Sequence, residues 1–551
     1  MTNRTTMLML GSAQFVMVLD STVMNVSISE VVADLDTSVT QVQLAITAYT
    51  LVMAAFMLTG AKLGDIWGRR RAFAIGLAVY GAGSLITALS PSIGVLLIGW
   101  SLVEGLGAVL VIPSIAALTA VNYSGKERAL AFALLGGVAG AGAAAGPLIG
   151  GFVTSALTWR VVFASETVVV LLILVMVKRI KDDSGRAPIK LDFIGSALSA
   201  LGMGLTVFGI LKISTWGFFR PTGALTIGGQ EITPFGMSVV PFLIAGGIVL
   251  LGMFARWEQR VERAGRVPLL RADLLEIPQM RAGLSSVLSQ YLILAGTFFV
   301  LPLYLQLVLG KDALETGVKI LPISIAMMVT ATLGPRLATR TSPRRVVELG
   351  MAVLFVSLIG LMASISPELA SPAFGISLAG FGAGIGLTIS QLGNVVMSSV
   401  PPSRSSEGGG LQGVGQNLGQ SLGTALIGAV LLTALTTGFQ QSVQADPSIS
   451  QAVKTQVAQG SEAGIAMVSR ADAEQIARNA GLSQQATNDL VSLYSDSQIF
   501  ALKKAILTAS AFVLVGAWFA RRLPNRPLTA VPAVELDRAE QVPALEAPER
   551  A

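Results

Sequence analysis

The 551-residue chain contains no cysteine and no histidine. Without cysteine it can form no disulfide and offers no thiolate to a metal, and the redox compartment cannot be read. Without histidine it lacks the side chain that titrates most readily near neutral pH. Any proton chemistry therefore falls to carboxyl groups, with lysine and tyrosine as weaker carriers. Charge is scarce too: Asp, Glu, Lys and Arg make up 13% of residues, against about 25% in soluble proteins. No GxxxxGK(S/T) string occurs, so no ATP-driven motor is expected in this chain. No nucleophile–base pair and no carboxylate cluster at metal-ligand spacing stands out. Neither an enzyme nor a metal or cofactor site is expected.

What the chain has is apolar length. Hydrophobic residues make up 52% of it, more than one water-soluble core can hide, so lipid must cover the remainder. Stretches long enough to cross a bilayer as helices fall near 7–27, 41–61, 72–90, 94–119, 129–153, 161–177, 193–213, 237–255, 283–309, 316–335, 346–364, 372–396, 408–435 and 501–520. The first contains Asp20 and lacks a cleavage site, so it reads as a retained span. Basic residues cluster in alternate loops, as at Lys62 with Arg69–Arg71, Arg256–Arg281 and Arg336–Arg345. About 28 of the 38 basic residues then lie on one side, which by the positive-inside rule is cytoplasmic and carries both termini. The net charge of +6 follows that placement and implies no nucleic-acid partner.

The loop string AKLGDIWGRRR, Ala61 to Arg71, has a weaker echo in GPRLATRTSPRR, Gly334 to Arg345. Aligning Leu63 with Leu337 also aligns Lys62 with Arg336 and Arg70 with Arg344. Duplicated halves with a site between them are typical of secondary transporters. The expected fold is an all-α membrane protein of 14 transmembrane helices, built as two pseudo-repeated six-helix bundles with two extra helices inserted between them. The expected parts are a first bundle over 1–190, two linker helices over 191–260 and a second bundle over 261–522. That second bundle carries a long extracellular loop, 436–500, with short amphipathic helices between Ala471 and Leu493. A disordered tail, 523–551, follows.

Several strings resemble the major facilitator superfamily, and most closely its 14-span drug:proton antiporter branch, in an actinobacterial-type multidrug exporter form. LDSTVMN, Leu19 to Asn25, is similar to the branch's LDxTVVN. KLGDIWGRR, Lys62 to Arg70, is similar to the superfamily loop GxLaDrxGrR, with Ala61 for its first Gly and Ile66 for an Arg. GAAAGPLIGG, Gly142 to Gly151, fits the antiporter pattern GxxxGPxxGG. Trp159–Arg160 and LPLYLQ, Leu301 to Gln306, match further branch strings. The fourth span departs from the RxxQGxG pattern: SLVEGLG puts Ser101 at the Arg and Glu104 at the Gln. The branch's Asn near the start of the sixth span is replaced by Glu166.

A carboxylate at mid-bilayer costs about 2.5–3.5 kcal/mol on insertion scales, so an acid inside a span is a functional candidate. Three qualify: Asp20, Glu104 and Glu166. Withdrawal from water favours the neutral carboxyl, which makes each a proton-coupling candidate. The bland alternatives are an interhelical hydrogen bond for Glu104, a structural link for Asp20 and a pair with Arg160 for Glu166. Asp65, Gly68, Arg69 and Arg70 are expected to form a conformational latch between helices, or partly to serve topology alone. Gly142, Gly146 and Gly150 share one helical face and allow close helix contact. Pro147 bends the helix beside them, and Gly151 completes the motif. Met17 and Met24 share a face with Asp20 and, with Ser101, Phe298, Phe299, Tyr304 and Gln306, are candidates for the substrate cavity.

The expectation is a proton-coupled exporter of lipophilic or cationic drugs, working by alternating access in a bacterial plasma membrane. The proton gradient would supply the energy, and small-molecule substrate, protons and the lipid bilayer would be its partners. A monomer is expected. The alternatives are an exporter of an endogenous lipid or metabolite and, from another class, a non-transporting membrane sensor or partner-binding protein.

Overall fold

The computed structural model describes residues 2–525 except 124, 182–189, 222, 224, 228–229, 368, 370–371, 401–404, 448, 461–464 and 481. In lipid every backbone amide and carbonyl must be satisfied inside its own segment, so apolar stretches of this length fold as helices. In chain order these begin with α1 (Thr2–Val26), α2 (Ile28–Asp34), α3 (Val39–Trp67), α4 (Arg69–Ala88) and α5 (Ile93–Leu96). A π-helical segment, Leu97–Glu104, joins α5 to α6 (Gly105–Asn122). Then come α7 (Gly125–Ala156), α8 (Arg160–Met176), α9 (Phe193–Leu211), α10 (Ile213–Trp216), α11 (Val240–Arg263) and α12 (Ala272–Glu276). The remainder is α13 (Pro278–Leu303), a second π-helical segment (Tyr304–Val308), α14 (Ala313–Arg340), α15 (Pro343–Ser364), α16 (Ala373–Met397), α17 (Ser405–Ala445), α18 (Gln451–Gly460), α19 (Arg470–Asn479) and α20 (Gln484–Ala520).

Among the described residues, 13 helices are long and apolar enough to cross a membrane. The remaining expected span, 129–153, lies within α7, whose apolar part counts from Ala145 to Ala156. The outer surface suits lipid: Val175 is 83% exposed, Phe193 76% and Val356 70%, a density of bare apolar side chains that water would not tolerate. Helix starts follow side-chain chemistry. Ser38, Asp192, Asp312 and Ser342 each accept a hydrogen bond from the backbone amide three residues on, satisfying a donor the first turn leaves open.

Within the first 190 residues α1 packs on α7, α3 on α6, and α4 on both α6 and α8. Past residue 261, α13 packs on α17 and α20, α14 on α16, and α15 on α16 and α20. The two groups meet where α3 lies along α17 and α7 along α14. Helices α9 and α11 pair with each other, and α9 touches α3 and α17 from the side. The two ends of this bundle differ in charge. The turn at Trp67–Arg71 marks the basic end, and α2 and α18–α19 mark the opposite end.

Several features depart from the sequence expectation, among them the strings 61–71 and 334–345, expected as loops, which are helical apart from Gly68 and from Thr341 and Ser342. A two-stranded antiparallel hairpin, Leu225–Ile227 with Gln230–Ile232, sits between α10 and α11 where only a loop was expected. The segment 436–500 is more helical than its polarity suggests. α17 continues to Ala445 and α20 starts at Gln484, because the two pack on each other beyond the apolar spans. Tyr494 pins the intervening chain: its hydroxyl donates to the Ala466 carbonyl at 2.9 Å and accepts from the Val468 amide at 2.9 Å. The expected tail beyond residue 525 lies outside the described residues.

Candidate functional site

The three intramembrane acids come from three helical elements and meet in one place. Asp20 projects from α1, Glu104 from the end of the first π-helical segment and Glu166 from α8. One carboxylate oxygen from each lies within 4.8 Å of those of the other two. Exposure is 0% for Asp20 and Glu104 and 1% for Glu166. The sequence shows no ligand spacing because the three positions are 84 and 62 residues apart (104 − 20 and 166 − 104). The fold assembles a carboxylate cluster that the sequence reading did not expect.

Local structure explains how they converge. Gly83 on α4 lets the chain approach the backbone of Glu104 so closely that a Cβ there would fall 2.7 Å from its Cα. Gly107 does the same against Tyr80, where the corresponding distance is 2.6 Å. The π-helical segment Leu97–Glu104 re-aims successive side chains, a geometry that recurs at functional sites. It turns Ser101 toward α3, where the hydroxyl donates to the Ala45 carbonyl at 2.8 Å. It also places Trp100, whose indole N–H donates to Asp20 Oδ1 at 2.9 Å. The Trp100 ring stacks on Tyr49 at 4.8 Å and meets Phe163 edge-on at 6.4 Å, walling the acids off.

The hydrogen bonding is uneven. Tyr80 and Ser84, one turn apart on α4, both donate to Glu166 Oε2 at 3.1 Å. Asp20 Oδ2, Glu166 Oε1 and both oxygens of Glu104 are buried without a partner. The donors that reach the cluster, Trp100, Tyr80 and Ser84, are all neutral. Two like charges about 5 Å apart repel by roughly 3 kcal/mol at an effective dielectric of ~20. Three bare carboxylates are therefore a poor resting state. The arrangement can take up protons or a cation, and Glu104 is the member that no donor fixes.

The other expected site residues separate into structural groups. Met17 and Met24 are buried at 5% and 1%, in the same apolar core as Phe298, Phe299 and Tyr304. Tyr304 ties its own half together by donating to the Ser366 carbonyl at 2.7 Å. Gln306 reaches across: its amide donates to the Val26 carbonyl at 2.6 Å, and its oxygen accepts from the Ser29 hydroxyl at 2.6 Å. It thus clamps the end of α1 to the second π-helical segment. A cavity of about 290 Å³ opens elsewhere, between α3, α10 and α17, lined by Gln41, Leu44, Lys212, Thr215, Leu432 and Thr436. None of the expected cavity residues lines it.

At the basic end Gly68 has φ 90° and separates α3 from α4, a conformation glycine adopts without strain. Arg69 approaches Asp65 at 3.9 Å and donates to the Ala117 carbonyl at 3.4 Å. Arg70 donates to the Ile180 carbonyl at 3.1 Å. These contacts brace α4 against the ends of α6 and α8. The glycine motif has two faces. Gly142, Gly146 and Gly150 seat Val18, Thr22 and Val23 of α1. Gly151 faces the Ala313 carbonyl, and the Pro147 carbonyl faces Gly317, so the motif also joins α7 to α14.

One alternative is overturned. Arg160 does not pair with Glu166. It pairs with Asp34 and donates to the Ser90 carbonyl at 2.7 Å. The indole of Trp159 donates to the same Asp34 at 3.0 Å. Trp159 is 2% exposed, so its ring is packed inside the end of the bundle. The sequence reading missed Tyr80, Ser84, Trp100 and Asp34. Tyr80 and Ser84 did carry a signal, as polar groups at i and i+4 in a largely apolar span.

Residues 10–424 match the family described as Major Facilitator Superfamily. The probable actinorhodin transporter of Streptomyces coelicolor is 29% identical over 410 residues, covering 72% of this chain and 67% of that protein. The puromycin resistance protein pur8 of Streptomyces alboniger is 32% identical over 362 residues, 65% of this chain and 67% of its own. The multidrug resistance protein Stp of Mycobacterium tuberculosis is 27% identical over 417 residues, with 74% and 73% covered. Among solved structures, a bacterial homolog to the human lysosomal transporter Spinster superposes with a TM-score of 0.60 at 14% identity, over 94% of this chain and 95% of that one. That likeness concerns the fold.

Proposed function

The chain belongs to the Major Facilitator Superfamily, and on that premise we propose that it is a proton-coupled antiporter exporting lipophilic or cationic small molecules. It is a multi-span transporter of the plasma membrane and not an enzyme. The proposal adds the driving ion, the direction and the substrate class. It also takes α7 as the fourteenth crossing, the basic end as cytoplasmic and the chain as a monomer. Two pseudo-repeated bundles, 1–190 and 261–522, would rock about the α3–α17 and α7–α14 contacts, with 191–260 as linker helices.

The observation that carries the proton reading is the cluster of Asp20, Glu104 and Glu166: sealed from water, within 4.8 Å of one another and met only by neutral donors. Such a cluster releases and regains protons as alternating access exposes it to either side. Proton uptake from outside would drive solute off, and proton loss inside would reload the site. The substrate class draws on relatives named for actinorhodin transport, puromycin resistance and multidrug resistance. Gln306 with Ser29 and Val26 would hold the outer gate shut. Asp65, Gly68, Arg69 and Arg70 would act as the latch at the cytoplasmic face. Met17, Met24, Ser101, Phe298 and Phe299 would line the path once the bundles part.

The test is transport in proteoliposomes under an imposed pH gradient, with a fluorescent lipophilic cation as probe. Wild type should move the probe against its gradient. Glu104→Gln and Asp20→Asn should fall to the level of protein-free liposomes. Equal gradient-driven flux in wild type and both variants would sink the carboxylate-coupling reading.

A further inference from the structure

We propose that Asp20, Glu104 and Glu166 also form a binding site for a hard metal cation of the size of Na⁺ or Ca²⁺. The inference uses the same carboxyls as the proton-coupled reading but goes beyond it, since proton coupling needs no metal. Its first support is geometry. Three oxygens within 4.8 Å of one another have a common point about 2.8 Å or less from each, close to the 2.3–2.6 Å of calcium–oxygen bonds. A contraction of a few tenths of an ångström completes the fit, and the three donors stand on separate helical elements able to supply it.

The second support is the orphaned chemistry of Glu104. Its side chain is fully buried, neither oxygen accepts a hydrogen bond of ordinary geometry although Tyr80 and Ser84 stand near, and it lies against the other two acids. Asp20 Oδ2 and Glu166 Oε1 are likewise bare, while their sister oxygens are taken by Trp100, Tyr80 and Ser84. The fixed donors thus orient two acids and leave one oxygen of each unused. No basic side chain donates to the cluster among the described residues.

The donor set selects the class of ion. Every ligand is oxygen, which suits hard cations and disfavours metals that seek nitrogen or sulfur. Mg²⁺ requires near-octahedral oxygens at about 2.0–2.1 Å, a larger contraction of the three carboxyl oxygens than Ca²⁺ needs. Na⁺ and Ca²⁺ remain, and the experiment separates them.

The full-length chain, purified in metal-free lipid nanodiscs at one fixed pH near neutrality, is titrated with radiolabelled Na⁺ and, separately, radiolabelled Ca²⁺. The expected result is saturable binding of one ion per chain for one of the two. Affinity should fall about 100-fold or more in Glu104→Gln and in Asp20→Asn. It should be unchanged in Glu258→Gln, whose buried carboxyl on α11 accepts from the Leu270 amide at 3.0 Å, apart from the cluster. Absence of saturable binding of either ion to wild type overturns the proposal. So does binding that survives both cluster substitutions in variants of unchanged melting temperature. If Glu104→Gln fails to fold, Asp20→Asn and the wild-type titration still decide. A parallel measurement of pH-gradient-driven flux in metal-free buffer separates the two ideas. Flux without metal binding leaves the antiporter standing and removes the metal site, while metal binding without such flux does the reverse.

Discussion

The interiors of residues 1–190 and 261–522 are built from the same kind of apolar helix but bury different polar groups. The first encloses Asp20, Glu104 and Glu166, with Lys62 near the basic end. The second buries Gln290, Gln306, Gln391 and Asn417 along with hydroxyl side chains, and no charged residue among those described. The difference matters because an amide or hydroxyl carries no net charge and needs at most a hydrogen bond, while a buried carboxylate must find a proton or a cation. On the reading proposed above, the first region is the part that would respond to an ion. The second presents it with an uncharged interior across the α3–α17 and α7–α14 contacts.

The sharpest way to break this comparison is to move charge into the second region. Gln290 on α13 is 0% exposed, and neither end of its amide has a partner. Gln290→Glu should cost about 2.5–3.5 kcal/mol, the insertion penalty of an unsupported acid, seen as a fall in melting temperature in detergent. Gln290→Leu should be near neutral, because it removes two unsatisfied groups at little change in size. If the acid were tolerated without loss, the absence of charge from this region would have no physical meaning.

A smaller effect tests how the acids are held. Gly83→Ala places a methyl 2.5 Å from the Glu104 backbone nitrogen. Backbone cannot rotate away, so α4 and the π-helical segment must separate, at roughly 1–3 kcal/mol. In the second region Gly360→Ala meets the Ser377 hydroxyl at 2.6 Å, a flexible contact that yields by a change of rotamer. Its melting temperature should fall less. Transport should separate the two further, with Gly83→Ala losing flux and Gly360→Ala keeping it. Equal behaviour of the two variants would mean that the close seat under Glu104 is ordinary packing.

The sequence makes the spans, the motif order and the three acids visible. Lipid demands long apolar helices, and a charge inside one stands out against that background. What it does not show is that Asp20, Glu104 and Glu166 converge, because their meeting depends on how α1, α4, α6 and α8 pack and on the wider i→i+5 helical turn at Leu97–Glu104. Gln306 is a similar case. Its type and position suggest a cavity, yet it reaches Val26 and Ser29, 280 and 277 residues away. The pairing of Glu166 with Arg160 fails for a related reason. The two are close in sequence, but Glu166 faces inward to Tyr80 and Ser84, and Arg160 sits a turn and a half earlier, where Asp34 is available.

That outer corner supplies the smallest prediction, and it separates charge at a surface from charge in a core. Asp34 holds Trp159 and Arg160 together, and the Arg160–Asp34 side chains are 26% and 44% exposed. Water screens such a pair, so Asp34→Asn should cost less than about 1 kcal/mol. The new amide oxygen still accepts from the Trp159 indole, while Arg160 keeps the Ser90 carbonyl and its position 4.5 Å over the Trp159 ring. Flux under a pH gradient should be unchanged, against its loss in Glu104→Gln, although both substitutions replace one carboxyl group by an amide within the same 190 residues. If Asp34→Asn instead abolished flux while leaving the melting temperature intact, the ion-responsive element would have to be sought at the end of the bundle, where α2 meets α8, and the buried cluster would be reduced to packing.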